Sequence, residues 1–250
     1  MNLVEKMMPN LFTLEHELDG MQVRGAIVLG NTRAMIWDTL IYPEQMQAVL
    51  DICGNRELII VYSHGDWDHV WGTCTLPYQK VIGHKRCKAR FDDPDDVAKT
   101  LKDYQAKYSA LINIHLVAPT ETFEDRLELD LGSLTVELCH LPGHTLDGIV
   151  AFIPELGTLL VGDACETPLP LVYEDSPLSQ WITALENWQK NPRVKTVIPS
   201  HGPTGNLDLV KNTTAYLKAV KDENPIVLPD LDEFYQAAHE KNKSIAPHLP

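Results

Sequence analysis

Between residues 64 and 69 the chain reads His64-Gly65-Asp66-Trp67-Asp68-His69, which places four metal-competent side chains within six positions. The cluster directly follows the apolar run Leu58-Ile59-Ile60-Val61-Tyr62, so it falls where a strand gives way to a tight loop at a sheet edge. Imidazole and carboxylate are ligands that divalent metals take readily. His64 and Asp66, two apart, can point to one side, while the adjacent Asp68 and His69 diverge and would serve a neighbouring ion. The spacing therefore points to two metals.

Further donors stand in three Gly-punctuated segments, Pro142-Gly143-His144-Thr145, Val161-Gly162-Asp163-Ala164 and Ser200-His201-Gly202-Pro203, each after an apolar run that reads as a strand. Glycine beside a polar residue at a strand end lets the backbone turn sharply enough to expose the side chain. A single His or Asp of this kind is an ordinary turn residue. Four such segments in order along the chain point to a metal site built from four His and three Asp.

These segments resemble the signature of the metallo-β-lactamase-fold hydrolase superfamily: His-x-His-x-Asp-His, a His in a Gly-His-Thr context, a bridging Asp after Gly, and a final His beside Gly. The resemblance runs from about Phe12 to Gly205. It implies an α/β fold, an αββα sandwich of two mixed β-sheets with helices on the outer faces. By motif, His64, Asp66 and His144 would hold one metal and Asp68, His69 and His201 the other, with Asp163 bridging. The chain departs from the pattern at Asp66, where most members carry a second His. That exchange replaces a neutral nitrogen donor with an anionic oxygen and brings the ligand set close to that of flavodiiron proteins, which use Glu at this position to hold redox-active iron. Zinc is the first expectation for the two divalent ions, with iron and manganese as alternatives.

Two such ions sharing a water lower its pKa and present hydroxide to an ester, lactone, thioester, amide or phosphodiester centre. Asp68 would hold the attacking water as well as its metal, and Asp163 would keep the ions at bridging distance, which makes these two the catalytic candidates. No Gly-x-Ser-x-Gly elbow is present to support a serine nucleophile. The resulting expectation is a dinuclear metal-dependent hydrolase of a small molecule. A non-haem diiron oxidoreductase or an oxygen- or nitric oxide-binding protein is the alternative, and a non-catalytic scaffold on a degenerate copy of the fold is a third reading.

The rest of the chain must position these residues. Strands are expected at Met21–Leu29, Ala34–Trp37, Leu58–Tyr62, Lys80–Ile82, Leu127–Leu129, Leu134–Cys139, Ile149–Ile153, Leu159–Val161 and Lys195–Ile198. Helices are expected at Pro43–Cys53, Asp95–Ile112, Leu178–Gln189, Leu207–Lys221 and Leu231–Lys241, with a short one near Lys85. Ligands spread from His64 to His201 favour one domain over residues 1–225, with 226–250 as a C-terminal helical extension packed on it. Asp38, ending the strand Ile36-Trp37-Asp38, sits where the superfamily has an Asp that orients ligands through hydrogen bonds. The Pro-rich segment Glu166–Glu174 would wall the pocket. Trp67 and Trp71 either line that pocket or pack beneath the ligand loop, and His84 either reaches the pocket or is a solvated or helix-capping residue.

The 250 residues carry 35 acidic and 21 basic side chains, a formal charge of -14 that repels polyanions. Nucleic acid is therefore not an expected partner. Nuclease members of the superfamily carry an inserted domain, and the interval between His144 and His201 has no room for one. Five cysteines without a Cys-x-x-Cys pair argue against a disulfide framework. Cys165, close to Asp163, is expected to pack rather than react. The opening Met1-Asn2-Leu3-Val4-Glu5-Lys6 lacks a leader pattern, and no segment has the apolar length of a membrane span. The expectation is a cytoplasmic protein acting on a small-molecule substrate without membrane contact, with a homodimer as the base-rate oligomer.

Overall fold

The computed structural model describes residues 3–18 and 21–250. Met1 and Asn2, the first residues of the stretch read for a leader, lie outside them. The chain divides into two compact units, Met1–Val136 and Glu137–Pro250.

The first unit is organised on a seven-stranded sheet of order β1 to β7: β1 Leu3–Met8, β2 Leu11–Leu18, β3 Met21–Leu29, β4 Arg33–Trp37, β5 Glu57–Val61, β6 Tyr78–His84 and β7 Glu121–Phe123. Strands β1 to β4 meander antiparallel, and from β4 to β7 every pairing is parallel. Parallel strands covered on both faces need continuous apolar runs. Ala34-Met35-Ile36-Trp37 and Leu58-Ile59-Ile60-Val61 are such runs, and all eight side chains are buried. The crossovers carry α1 Gln47–Cys53, α2 Trp67–Val70, α3 Lys85–Asp92 and α4 Val97–Gln105. One consequence positions the site: β4, β5 and β6 run side by side in the same direction, so their C-terminal ends share one edge of the sheet.

The second sheet has the order β12-β11-β10-β9-β8, with β8 Arg126–Asp130, β9 Thr135–His140, β10 Ile149–Ile153, β11 Thr158–Gly162 and β12 Thr196–Pro199. It is also mixed: β9, β10 and β11 pair antiparallel, and β11 pairs parallel with β12. Every residue of β10 and β11 is buried. Helices α5 Leu178–Gln189, α6 Leu207–Lys221 and α7 Glu233–Ile245 complete the second unit. The side chain of Asn206 accepts from Asp208 N at 2.7 Å to cap α6, and that of Asp232 accepts from Tyr235 N at 2.8 Å to cap α7. The apolar face of α7 joins the core of this unit through Tyr235, Ala238 and Ile245.

Several elements differ from the sequence-based expectation. The segment expected as one helix from Pro43 to Cys53 is a 3-10 turn over Pro43–Met46 followed by α1. The helix expected over Asp95–Ile112 stops at Gln105, whose side chain donates to the carbonyls of Leu111 and Ile114 and folds the following chain into a tight turn. Strands β1, β2 and β7 were not expected at all. Among the described residues, no helix is long and apolar enough to cross a membrane.

Candidate metal centre

In the first unit β5 leads into Ser63 and His64, and Asp66 stands in extended conformation immediately before α2, whose single turn carries Asp68 and His69. The stretch expected as a loop is thus partly helical. The 3-10 turn that follows, Trp71–Thr75, fits closely against Thr39, just past the end of β4, because position 72 is glycine: a Cβ there would lie 2.0 Å from the carbonyl oxygen of Thr39. Thr39 N in turn donates to the carbonyl of His69 at 2.7 Å.

Asp38 ties these segments together. It is fully buried, accepts from Ser63 N at 2.7 Å through Oδ1, and lies 2.9 Å from His69 Nδ1 through Oδ2. Its φ of 56° is left-handed, a conformation that Asp tolerates better than most residues and that such sites hold at a cost. A carboxylate facing Nδ1 fixes the proton on that nitrogen and leaves the lone pair on Nε2. His64 Nδ1 is engaged by Ser63 Oγ at 2.9 Å. Each of the two rings thus presents Nε2 toward a carboxylate oxygen: His64 to Asp66 Oδ2 at 3.4 Å and His69 to Asp68 Oδ2 at 3.5 Å. Asp66 Oδ1 meets Arg90 Nη1 from α3 at 2.7 Å.

In the second unit β9 runs into Pro142-Gly143-His144. Gly143 lies against the Trp181 ring so closely that a Cβ would come within 2.5 Å of it. His144 donates from Nδ1 to the carbonyl of Leu171 at 3.1 Å, which again leaves Nε2 as the lone-pair nitrogen. Asp163 follows β11 directly, and His201 follows β12. Asp163 Oδ2 lies 3.7 Å from His144 Nε2 and 3.4 Å from His201 Nε2. The ring of Tyr173 packs on that of His144 with 4.7 Å between centroids.

All four histidines therefore turn Nε2 toward a carboxylate oxygen at 3.4 to 3.7 Å. These separations exceed an ordinary N–H···O hydrogen bond. They match the edge of a tetrahedron around an ion with ligands near 2.0–2.1 Å, which is about 3.4 Å. The donor set fits a divalent metal. Among the described residues, the groups of His, Cys, Asp and Glu able to hold a metal ion draw on His64, Asp66, Asp68, His69, His144, Asp163 and His201 and on no other residue.

The metallo-beta-lactamase superfamily model matches residues 20–201. The chain belongs to the metallo-beta-lactamase superfamily. Its fold is similar to that of a metallo-beta-lactamase from Pontibacter korlensis, with a TM-score of 0.66 at 21% identity over 87% of this chain and 99% of that one. It is similar as well to DIM-1 metallo-beta-lactamase, with a TM-score of 0.65 at 19% identity over 87% of this chain and 97% of that one. A linear primary-alkylsulfatase from Pseudomonas sp. (strain ATCC 19151) is 28% identical over 93 residues, a stretch that spans 34% of this chain and only 17% of that protein's length. The two mixed sheets and their helices are those of the metallo-beta-lactamase fold, and metal-dependent hydrolysis is the chemistry of this superfamily.

Other residues singled out in the sequence have packing roles. Trp71 is fully buried, and Trp67 stacks on Tyr104 at 4.8 Å. His84 accepts from Arg86 N at 3.3 Å and caps α3. Cys165 is buried, and burial pushes its thiol up to about 12. Sequence reasoning missed Arg90, whose only signal was the basic run Lys85 to Arg90 one strand after the ligand cluster. It also missed the importance of Glu166, three residues past Asp163. Burial raises the Glu166 carboxyl above its ordinary value against the pull of His201 and His144, and Tyr235 OH of α7 donates to it at 2.8 Å.

Proposed function

We propose that this protein is a dinuclear metal-dependent hydrolase of a small molecule with an ester, lactone, thioester, amide or phosphodiester linkage. The observation that carries the reading is the common 3.4 to 3.7 Å spacing between four histidine Nε2 atoms and their carboxylate oxygens. In the assignment implied by motif order, His64, Asp66 and His144 serve one ion, Asp68, His69 and His201 the other, and Asp163 both. Divalent ions held there supply Lewis acidity and lower the pKa of a water toward neutrality. Asp68 would hold that water as well as its ion. Asp38 and the Leu171 carbonyl hold the His69 and His144 rings in the tautomer that carries the proton on Nδ1 and the lone pair on Nε2. Tyr173, packed on His144 with the rings tilted by 54°, would give the substrate an aromatic wall beside the second-unit residues. The sequence likeness to an alkylsulfatase adds sulfate esters to the bonds worth testing.

The test is elemental analysis of protein purified without chelator, followed by assay of the zinc-, manganese- and iron-loaded forms against esters, lactones, thioesters, phosphodiesters, sulfate esters and β-lactams. About two ions per chain and turnover of one bond class is the expected result. Metal-loaded protein that hydrolyses none of them, or two irons with a redox-dependent optical band and no hydrolysis, would overturn the proposal.

A further inference from the structure

Asp66 is the one ligand that departs from the usual pattern, and its surroundings differ from those of the other carboxylates. Its Oδ2 lies 3.4 Å from His64 Nε2, on the ligand side, while its Oδ1 is taken by Arg90 Nη1 at 2.7 Å. Arg90 does not reach Asp66 by chance of a floppy side chain. The opposite edge of its guanidinium donates through Nε to Asp96 Oδ2 at 2.9 Å and through Nη2 to Asp96 Oδ1 at 3.1 Å, a two-point grip that fixes the plane. Nη1, at the other end of that plane, faces Asp66. Arg90 and Asp66 are 24% and 19% exposed, sheltered enough for the pairing to matter more than one at the open surface.

A carboxylate offers a metal two oxygens and a full negative charge, whereas an imidazole offers one nitrogen and none. The Arg90 contact removes both differences, because it occupies one oxygen and offsets the charge. On the reading that these residues bind divalent metal, we infer that Arg90 is a positioning residue that holds Asp66 as a one-point, charge-compensated ligand, equivalent to the neutral nitrogen donor it replaces. Loss of Arg90 removes the cation that holds Oδ1, which lets that oxygen turn toward an ion. The coordination number there rises, and harder ions that accept more oxygen donors gain over zinc.

Cobalt(II) reports coordination number through its visible absorption, which is intense in four-coordinate sites and weak in six-coordinate ones. The experiment loads cobalt(II) into the full chain and into Arg90→Met, Arg90→Lys, Asp66→His and the Asp66→His/Arg90→Met double variant, and measures zinc-against-manganese competition on each. Arg90→Met should lose much of the absorption and shift selectivity toward manganese by about tenfold, in the range found for residues that support ligands. Arg90→Lys keeps the charge without the fork, and it should fall between the two. In the Asp66→His background, removal of Arg90 should change neither readout, because the imidazole has no second oxygen to hold back. An unchanged spectrum and selectivity in Arg90→Met overturns the inference. So does an equal shift in the Asp66→His background, which would mark Arg90 as a general structural residue. Wild-type protein that takes up no cobalt or zinc overturns the metal reading itself, a result distinct from either.

Discussion

His69 and Asp38 meet across 2.9 Å, Nδ1 to Oδ2, and neither side chain has any exposed surface. The contact decides which nitrogen of His69 carries the proton and which the lone pair. Asp38→Asn preserves shape and tolerates the left-handed backbone, but presents a neutral amide to Nδ1. Metal affinity should fall roughly 10- to 100-fold, as for other residues that orient a ligating histidine. Chelator competition with a chromogenic indicator measures it, and wild-type affinity in the variant would remove Asp38 from the orienting role.

Position 72 admits no side chain. In Gly72→Ala the new methyl would have to displace the Thr39 carbonyl, which it would otherwise approach to 2.0 Å. The expected cost is about 1–3 kcal/mol, read as a lower midpoint in denaturant with an unchanged slope. Because Thr39 also receives the turn that carries His69, metal affinity should fall along with stability. A variant as stable as the wild type would show that the two segments part easily.

Asn242 of α7 is buried and fastens the Pro-rich loop from below: Val172 N donates to its Oδ1 at 2.9 Å, and its Nδ2 donates to the Pro170 carbonyl at 2.7 Å and to Tyr216 OH at 3.0 Å. Asn242→Ala leaves the Val172 amide without its partner, at a cost of about 1–3 kcal/mol. Hydrogen exchange should accelerate in residues 171–174, which include the Tyr173 that packs on His144, and little elsewhere. Uniform acceleration across the second unit would instead mean that the whole unit had been loosened.

The buried thiols set an alkaline limit. Cys53 and Cys165 are pushed up to about 12 from an ordinary 9.0, both chiefly by burial. Above pH 9 the unfolded chain ionises these thiols while the folded chain keeps them protonated, so the unfolded state binds fewer protons and stability falls as pH rises. The decline should run from about pH 9 toward 12. Cys165→Ala should flatten it in denaturation series at pH 8, 9 and 10, and an identical slope in the variant would place the effect elsewhere. Below pH 9, Cys165 should resist alkylation until the protein unfolds.

The residues of the candidate centre were legible in the sequence because each donor follows an apolar run and lies within a few residues of a glycine. Local pattern therefore carried their place close after strand ends. Ile149–Ile153, Leu178–Gln189 and Leu207–Lys221 were equally legible, as long apolar or periodic runs with clear ends. The hairpin of β1 and β2 was not, since polar residues such as Glu5, Lys6, Glu15 and Glu17 interrupt its apolar pattern. Helix α2 has only four residues, too few to display a helical period. Arg90 escaped for a different reason: its partners Asp66 and Asp96 lie 24 residues before it and six after it, and nothing in a local window ties a basic side chain on one helix to a carboxylate before another.

Strands β4, β5 and β6 run in parallel and leave the sheet at one edge, so Asp38, the His64 to His69 cluster and the helix bearing Arg90 issue from three neighbouring exits. Asp38, which faces His69, and Arg90, which faces Asp66, thus reach the cluster from the exits on either side of it. Substitution at 66 would leave Arg90 held by Asp96 with no carboxylate there to offset, and substitution at 90 alone would remove the cation that faces Asp66 Oδ1. Through descent, the two positions should therefore behave as a single inherited character, with an imidazole at 66 appearing in relatives whose residue 90 is no longer arginine.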